Sequence, residues 1–173
     1  MSDTEKQLPE ALTGNLSSST SMSNAPPIIK VTALHPKVAD SVSQMLSEAR
    51  ARKLSVDIHM GLRTAEQQDH LYALGRTLPG SIVTNAPGWS SWHNYGLAVD
   101  IVFKDEKGNW TWSDSCDWNG LGAVGKVFGF SWGGDWTRFP DMPHFQIIGK
   151  IPNVKEAKRI LFEQGLDALW ALV

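Results

Sequence analysis

The run Leu97-Ala98-Val99-Asp100-Ile101-Val102-Phe103 limits the fold more than any other stretch of the chain. It reads as an apolar, partly β-branched strand with one carboxylate in its middle. A strand this apolar belongs in a core. A carboxylate carried into a core is costly unless a cation or hydrogen bonds compensate it. The neighbouring residues suggest what compensates it. His93 lies just upstream in Ser91-Trp92-His93-Asn94-Tyr95-Gly96, and His144 follows in Asp141-Met142-Pro143-His144-Phe145. Two imidazoles and one carboxylate form the kind of three-ligand set that holds a catalytic zinc with one position open for water. Asp141 precedes His144 closely enough to stand beside that open position as a general base. A lone histidine is more often a packed core residue. Spacing by itself therefore leaves a metal site and a hydrogen-bonded core cluster as alternatives.

Composition narrows the function classes. The chain has 173 residues, 42% of them hydrophobic, enough for one compact domain with a real core. Its formal net charge is -2, without a long basic run, which disfavours nucleic-acid binding through phosphate neutralisation. Cys116 is the single cysteine, so no intrachain disulfide forms. No stretch approaches the roughly 20 apolar residues of a membrane span. The N-terminus lacks a basic segment followed by an apolar one, so no secretory signal is expected. Seven of the eight tryptophans crowd between Trp89 and Trp136. They are expected to pack a small core, with an aromatic rim around a substrate groove as the alternative.

Local patterns place these residues on elements. Residues 1–27 are polar and rich in Ser, Thr and Asn, and read as a disordered arm; the folded domain is expected over 28–173. A helix opens at His35-Pro36 and runs to about Lys53, with Val38, Val42, Met45, Leu46 and Ala49 at helical spacing. A strand follows over Ser55 to Met60. Thr64 and Gln67 form a capping box for a helix that ends near Leu74, before Gly75. Residues 76–91 read as loop. The strand at Leu97 to Phe103 is followed by a turn at Lys107-Gly108-Asn109, with Trp110 to Trp112 pairing back. A helix from Trp118 to about Gly129, strands at Phe130 to Trp132 and Pro143 to Ile148, and helices near Val154 to Gln164 and Leu166 to Leu172 complete the chain. Without a regular βαβ alternation, this predicts an α+β domain with a small antiparallel sheet and helices packed on it.

The pattern Ser91-x-His93-x-x-Gly96-x-Ala98-x-Asp100, followed by Asp141-x-x-His144, resembles the signature of the LAS-type zinc peptidases. That family contains D-alanyl-D-alanine carboxypeptidases and dipeptidases and L-alanyl-D-glutamate endopeptidases, bacteriophage endolysins among them. Gly61-Leu62-Arg63-Thr64 and Gln67-Gln68 resemble its arginine-bearing turn and helix. Leu71 to Thr77, Ile82 to Ala86 and Trp132 to Trp136 are similar to the endopeptidase branch in particular. The match spans roughly Val31 to Ile148.

The resemblance implies a LAS/Hedgehog-like fold and one zinc ion on His93, Asp100 and His144. It puts Asp141 in the position of the catalytic base, where dipeptidase-type members carry Glu and the endopeptidase branch is familiar with Asp. Arg63 matches the arginine that steadies the tetrahedral intermediate or anchors substrate. Ser91 and Asp135 are expected near substrate. His35, His59 and His70 fall outside the motifs and read as structural or surface residues. The implied activity is hydrolysis of the peptidoglycan stem peptide, at the L-alanyl-D-glutamate bond, by a monomer that needs no nucleic acid and no integral membrane segment. A D-alanyl-D-alanine carboxypeptidase is the first alternative. A zinc-stabilised binding module without catalysis, as in the related Hedgehog domains, is the second. The missing signal fits an endolysin that waits in the host cytoplasm, or an enzyme exported by a non-classical route.

Overall fold

The computed structural model describes residue 31 and residues 33–173. The expected arm over 1–27 and the domain start near Ile28 lie outside the described residues. Helix α1 (Pro36–Ala51) starts with a proline in its first turn, where a missing N–H costs nothing. His35 caps it through Nδ1, which accepts from the Lys37 N–H. Its five expected apolar positions, Val38, Val42, Met45, Leu46 and Ala49, are all buried. The helix ends two residues earlier than its pattern suggests, because Lys53 takes a left-handed conformation with φ of 64° and turns the chain into the next strand.

Strands β1 (Val56–Met60), β2 (Ala98–Lys104), β3 (Trp110–Thr111), β4 (Ser131–Trp132) and β5 (His144–Gln146) form one antiparallel sheet. Its main order is β1-β2-β5-β4, and β3 also pairs with β2. The central strand β2 is the apolar run that carries the carboxylate. Alternation sends Val99, Ile101 and Phe103 into the main core, while Asp100 faces the other side of the sheet. Helix α2 (Ala65–Ala73) begins with the expected box: Thr64 Oγ1 accepts from Gln67 N, and Gln67 Oε1 accepts from Thr64 N.

Helices α3 (Trp118–Val127), α4 (Val154–Gln164) and α5 (Leu166–Trp170) complete the fold. The last two belong to the domain. Leu161 and Leu169 are fully buried in the common core, and Trp170 Nε1 donates to the Tyr95 carbonyl at 3.0 Å. Strand β5 is shorter than its apolar pattern. Pro143 and Ile147, at its ends, contact β2 and its approach by single hydrogen bonds (Ile101 N to Pro143 O, 2.8 Å; Ile147 N to Leu97 O, 3.0 Å) and not by a continued ladder.

Helix α3 packs so closely on the sheet that glycine is required. A Cβ added at Gly125 would meet Phe145 Cε1 at 2.5 Å and Cδ1 at 2.7 Å. Phe145 has no exposed surface and is flanked by Phe130 and Trp132 at centroid distances of 6.0 and 6.4 Å, so it has nowhere to move. Alanine improves helix propensity by about 1 kcal/mol, but overpacking of this kind costs about 1–3 kcal/mol. Gly125→Ala is therefore expected to be net destabilising, lowering the urea midpoint at unchanged m-value.

Candidate metal centre

Three elements converge on the face of the sheet that carries Asp100. In the ladder between β2 and β5, Asp100 is the direct partner of His144. Opposed residues in such a ladder share a face, so the carboxylate and one imidazole lie side by side. His93 arrives from a short 3-10 turn, Trp92–Tyr95, which leads into β2. Ser91 caps that turn, with Oγ accepting from the His93 N–H at 3.4 Å. Gly96 ends it in the left-handed conformation, φ 69°, and a Cβ there would collide with the Ala33 carbonyl.

The result is a cluster in which one ligand atom from each residue lies within 4.8 Å of the others. His93 Nε2 is 3.1 Å from Asp100 Oδ1 and 3.3 Å from His144 Nδ1, and His144 Nδ1 is 3.3 Å from Asp100 Oδ1. The outward-facing ring nitrogens decide the protonation pattern. His93 Nδ1 is 2.7 Å from the Gly61 carbonyl, which only accepts, so that nitrogen carries the proton. His144 Nε2 faces Gln146 Oε1 at 3.0 Å and carries the proton of the second ring. In their neutral forms both rings therefore present lone pairs to a carboxylate oxygen. Three acceptors meet with no donor among them, an arrangement that calls for a cation. The spacing suits zinc: edges of 3.1–3.3 Å belong to a tetrahedron whose corners lie about 2.0 Å from its centre, the usual Zn–N distance.

The electrostatics agree. Burial opposes the charge on Asp100, but when His144 and His93 carry a proton toward it, their hydrogen bonds and charge prevail and hold its pKa well below the ordinary range. Burial likewise opposes a charge on His144, yet the Asp100 hydrogen bond and charge raise its pKa. The centre attracts positive charge, and a metal ion takes the place a proton would otherwise hold. The second Asp100 oxygen, Oδ2, accepts from Arg63 Nη2 at 3.3 Å.

The turn bearing Arg63 is stitched to the turn bearing His93. Arg63 N donates to the His93 carbonyl at 3.1 Å, and the buried Asn94 amide donates to the carbonyls of Arg63 and Thr64. Arg63 Nη1 donates to Gln68 Oε1 at 2.8 Å, while its Nε is buried without a partner. Gln68, fully buried, passes the connection on through Nε2 to the Ala86 carbonyl at 2.7 Å.

The cluster forms the floor of a cleft of about 570 Å³. Arg63, Ser91 and Asp141 line it together with His93, Asp100 and His144, so six of the seven candidate residues share one cavity. Asp141 is held where the chain folds back: its N–H donates to the Gly133 carbonyl, and its own carbonyl accepts from His144 N. The residue is exposed at the mouth. Protein crowded around its carboxyl still raises the pKa, and the Asp100 charge adds to this against His144, His93 and Arg63. A raised carboxylate pKa suits a general base.

Asp135 is the exception. Its carboxylate pairs with Lys126 at 2.7 Å on the surface and is not part of the cleft wall, which Trp136 occupies instead. The motif Trp132-Gly133-Gly134-Asp135-Trp136 forms a 3-10 turn that carries the aspartate outward. The tryptophans divide between the two expectations. Trp118 and Trp132 are buried in the core, whereas Trp92, Trp112 and Trp136 line the cleft. Of the histidines read as structural or surface residues, His59 also lines the cleft, while His35 caps α1 and His70 is exposed.

Gln146, Asn94 and Gln68 are the residues that sequence reasoning missed. Gln146 carried a usable signal, since it stands two residues after His144 on a strand and so shares its face. Gln146→Leu removes the partner that orients His144. We expect it to weaken zinc affinity about 10- to 100-fold with the fold retained, as measured by chelator competition.

Comparison with known proteins agrees with this geometry. The chain is 39% identical over 123 residues to the peptidoglycan L-alanyl-D-glutamate endopeptidase CwlK of Bacillus subtilis (strain 168), covering 66% of this chain and 74% of that protein. It belongs to the LAS-type zinc peptidases. Residues 84–147 match the peptidase M15 family described as D-alanyl-D-alanine carboxypeptidase. The L-alanyl-D-glutamate peptidase of Listeria phage A118 is 31% identical over 115 residues, covering 64% of this chain and 38% of that longer protein. The fold matches the Serratia marcescens L-Ala D-Glu endopeptidase ChiX with a TM-score of 0.50 at 22% identity, covering 66% of this chain and 80% of that one. As a member of this family the chain is a zinc-dependent peptidase. Among the described residues, no helix is long and apolar enough to cross a membrane.

Proposed function

We propose that the chain hydrolyses the peptidoglycan stem peptide between L-alanine and D-glutamate, with one zinc ion held by His93, Asp100 and His144. The observation that carries this reading is the meeting of three acceptor atoms at tetrahedral spacing on the floor of a cleft whose wall carries Asp141. The Bacillus and phage relatives support the choice of bond.

Bound there, zinc supplies the Lewis acidity that neutral side chains lack. The protein supplies the rest. Asp141 accepts the proton of the attacking water at a carboxylate oxygen and returns it to the nitrogen of the leaving amine. Arg63 brings fixed positive charge to a site where an oxyanion develops, at no reorganisation cost during reaction. Gln68 and Asp100 keep its guanidinium aimed. Ser91 acts through the turn it caps, fixing the approach of His93. The reaction needs no covalent enzyme intermediate, and Cys116 takes no part.

A carboxypeptidase needs a cation to anchor the substrate's terminal carboxylate. Among the described residues lining the cleft, Arg63 is the only lysine or arginine, and Gln68 and Asp100 hold it at the reacting centre. The lack of a second cation there to anchor a terminal carboxylate supports an endopeptidase over the carboxypeptidase in the family's description. A second carboxylate, Asp141, in the cleft wall beside the cluster, which a mere binding module would not need, supports an enzyme. The reading further proposes a monomer with a role in wall degradation, for which the phage relative offers support. Digestion of purified peptidoglycan, with the new termini identified by mass spectrometry, tests it. New N-terminal D-glutamate is the expected product; released D-alanine overturns the choice of bond.

A further inference from the structure

The cleft has one end that the chemistry above does not use. His59 sits on β1 where the ladder with β2 slips: Ile58 pairs with Ile101 and Met60 with Asp100, leaving His59 as the extra residue. Alternation along β1 puts His59 on the face of the sheet that carries Asp100, and its imidazole lines the cleft. Its ring meets Trp110 at 4.9 Å and Trp112 at 5.4 Å, both edge to face at 89° and 90°. The buried Nδ1 has no hydrogen-bond partner, so ring contacts hold this imidazole. The two indoles pack against it by one edge each, and about half of each is open to solvent (48% and 50%). Large flat rings that are both rigid and exposed bind at low entropic cost.

We propose that Trp112, backed by Trp110 and braced by His59, is a subsite for a neutral sugar ring: the muramyl residue that bears the stem peptide. This rests on the proposed function and deepens it. The carboxylates of the cleft are Asp100 and Asp141, both tied to the reacting centre, so the indole end offers no charge for a diamino acid's ammonium group. It has no lysine or arginine for an acid. An uncharged ring with an apolar face and peripheral hydroxyls is the ligand class that remains. Length agrees as well. In a stem peptide only L-alanine and a lactyl ether separate the scissile carbonyl from the sugar. At roughly 3.5 Å per residue this puts the sugar roughly 7–10 Å away, so it falls among residues that line the same cleft as the cluster.

The test compares two substrates with the zinc-loaded, full-length enzyme: N-acetylmuramoyl-L-alanyl-D-glutamate and sugar-free N-acetyl-L-alanyl-D-glutamate. Wild type is expected to prefer the first in kcat/KM. In Trp112→Ala that preference falls about five- to tenfold, the scale of one aromatic contact, while Trp112→Phe falls less. A direct measurement stands beside it: N-acetylmuramoyl-L-alanine, but not N-acetyl-L-alanine, should perturb indole fluorescence of the wild type, so the idea remains testable if the alanine variant fails to fold. Equal wild-type rates on both substrates, an unchanged preference in both Trp112 variants, or identical fluorescence responses overturn the subsite and leave the peptidase reading intact. If wild type cuts neither substrate between L-alanine and D-glutamate, while N-acetylmuramoyl-L-alanine still perturbs the indoles, the chosen bond is wrong and the sugar site stands.

Discussion

Asp141→Asn is expected to retain zinc and lose about 100-fold or more in kcat, the usual scale for removing a general base. The substitution keeps the shape of the side chain and the backbone hydrogen bonds to Gly133 and His144. It removes only the carboxylate that accepts a proton. The three-atom cluster is complete without Asp141, so metal content should stay near that of wild type. Asp135→Asn is the informative control, because it changes the other acidic residue of the same segment. Asp135 is paired with Lys126 on the surface, and an exposed pair of this kind contributes little. Its variant should keep nearly full activity. Steady-state kinetics with zinc measured in each protein makes the comparison. An inactive Asp135→Asn beside an active, zinc-loaded Asp141→Asn would mean that the wrong carboxylate carries the proton.

His144→Ala should lose most of its bound zinc and essentially all hydrolysis. Losing a residue that merely orients a ligand costs about 10- to 100-fold in affinity, and removing the ligand itself costs more. The variant leaves His93 Nε2 and Asp100 Oδ1 facing each other at 3.1 Å. His93 stays held by the Gly61 carbonyl and Asp100 by Arg63, so the protein should fold and the loss should be specific to metal. Metal analysis of the purified variant, with circular dichroism as the check on folding, measures this. Stoichiometric zinc in a folded His144→Ala protein would remove His144 from the ligand set. Gln146→Leu is the graded counterpart, weakening the ion without removing a ligand.

Much of the architecture follows from local chemistry. The apolar spacing from Val38 to Ala49, the Thr64–Gln67 box and the run around Asp100 each place an element correctly, because each is set by residues a few positions apart. Boundaries shifted where contacts from elsewhere intervened, as at Lys53 and at the ends of β5. The grouping of Asp100 with His93 and His144 as one ligand set followed from residue type and family resemblance. The register that makes Asp100 and His144 direct partners came from packing across the sheet.

The amino-acid sequence by itself determined the donor chemistry of this protein: two imidazoles, a carboxylate in an apolar strand and a second carboxylate near the last histidine. A residue's own atoms decide what it can ligate or titrate. Only the tertiary structure decided which of them meet and how they point. It turned Asp135 outward to Lys126 and placed His59 in the wall of the cleft. It also supplied Gly61, Gln146 and Gln68 as the groups that fix ring protonation and the arginine. Those outcomes depend on register, on turns and on partners tens of residues away, and local spacing carries no record of them.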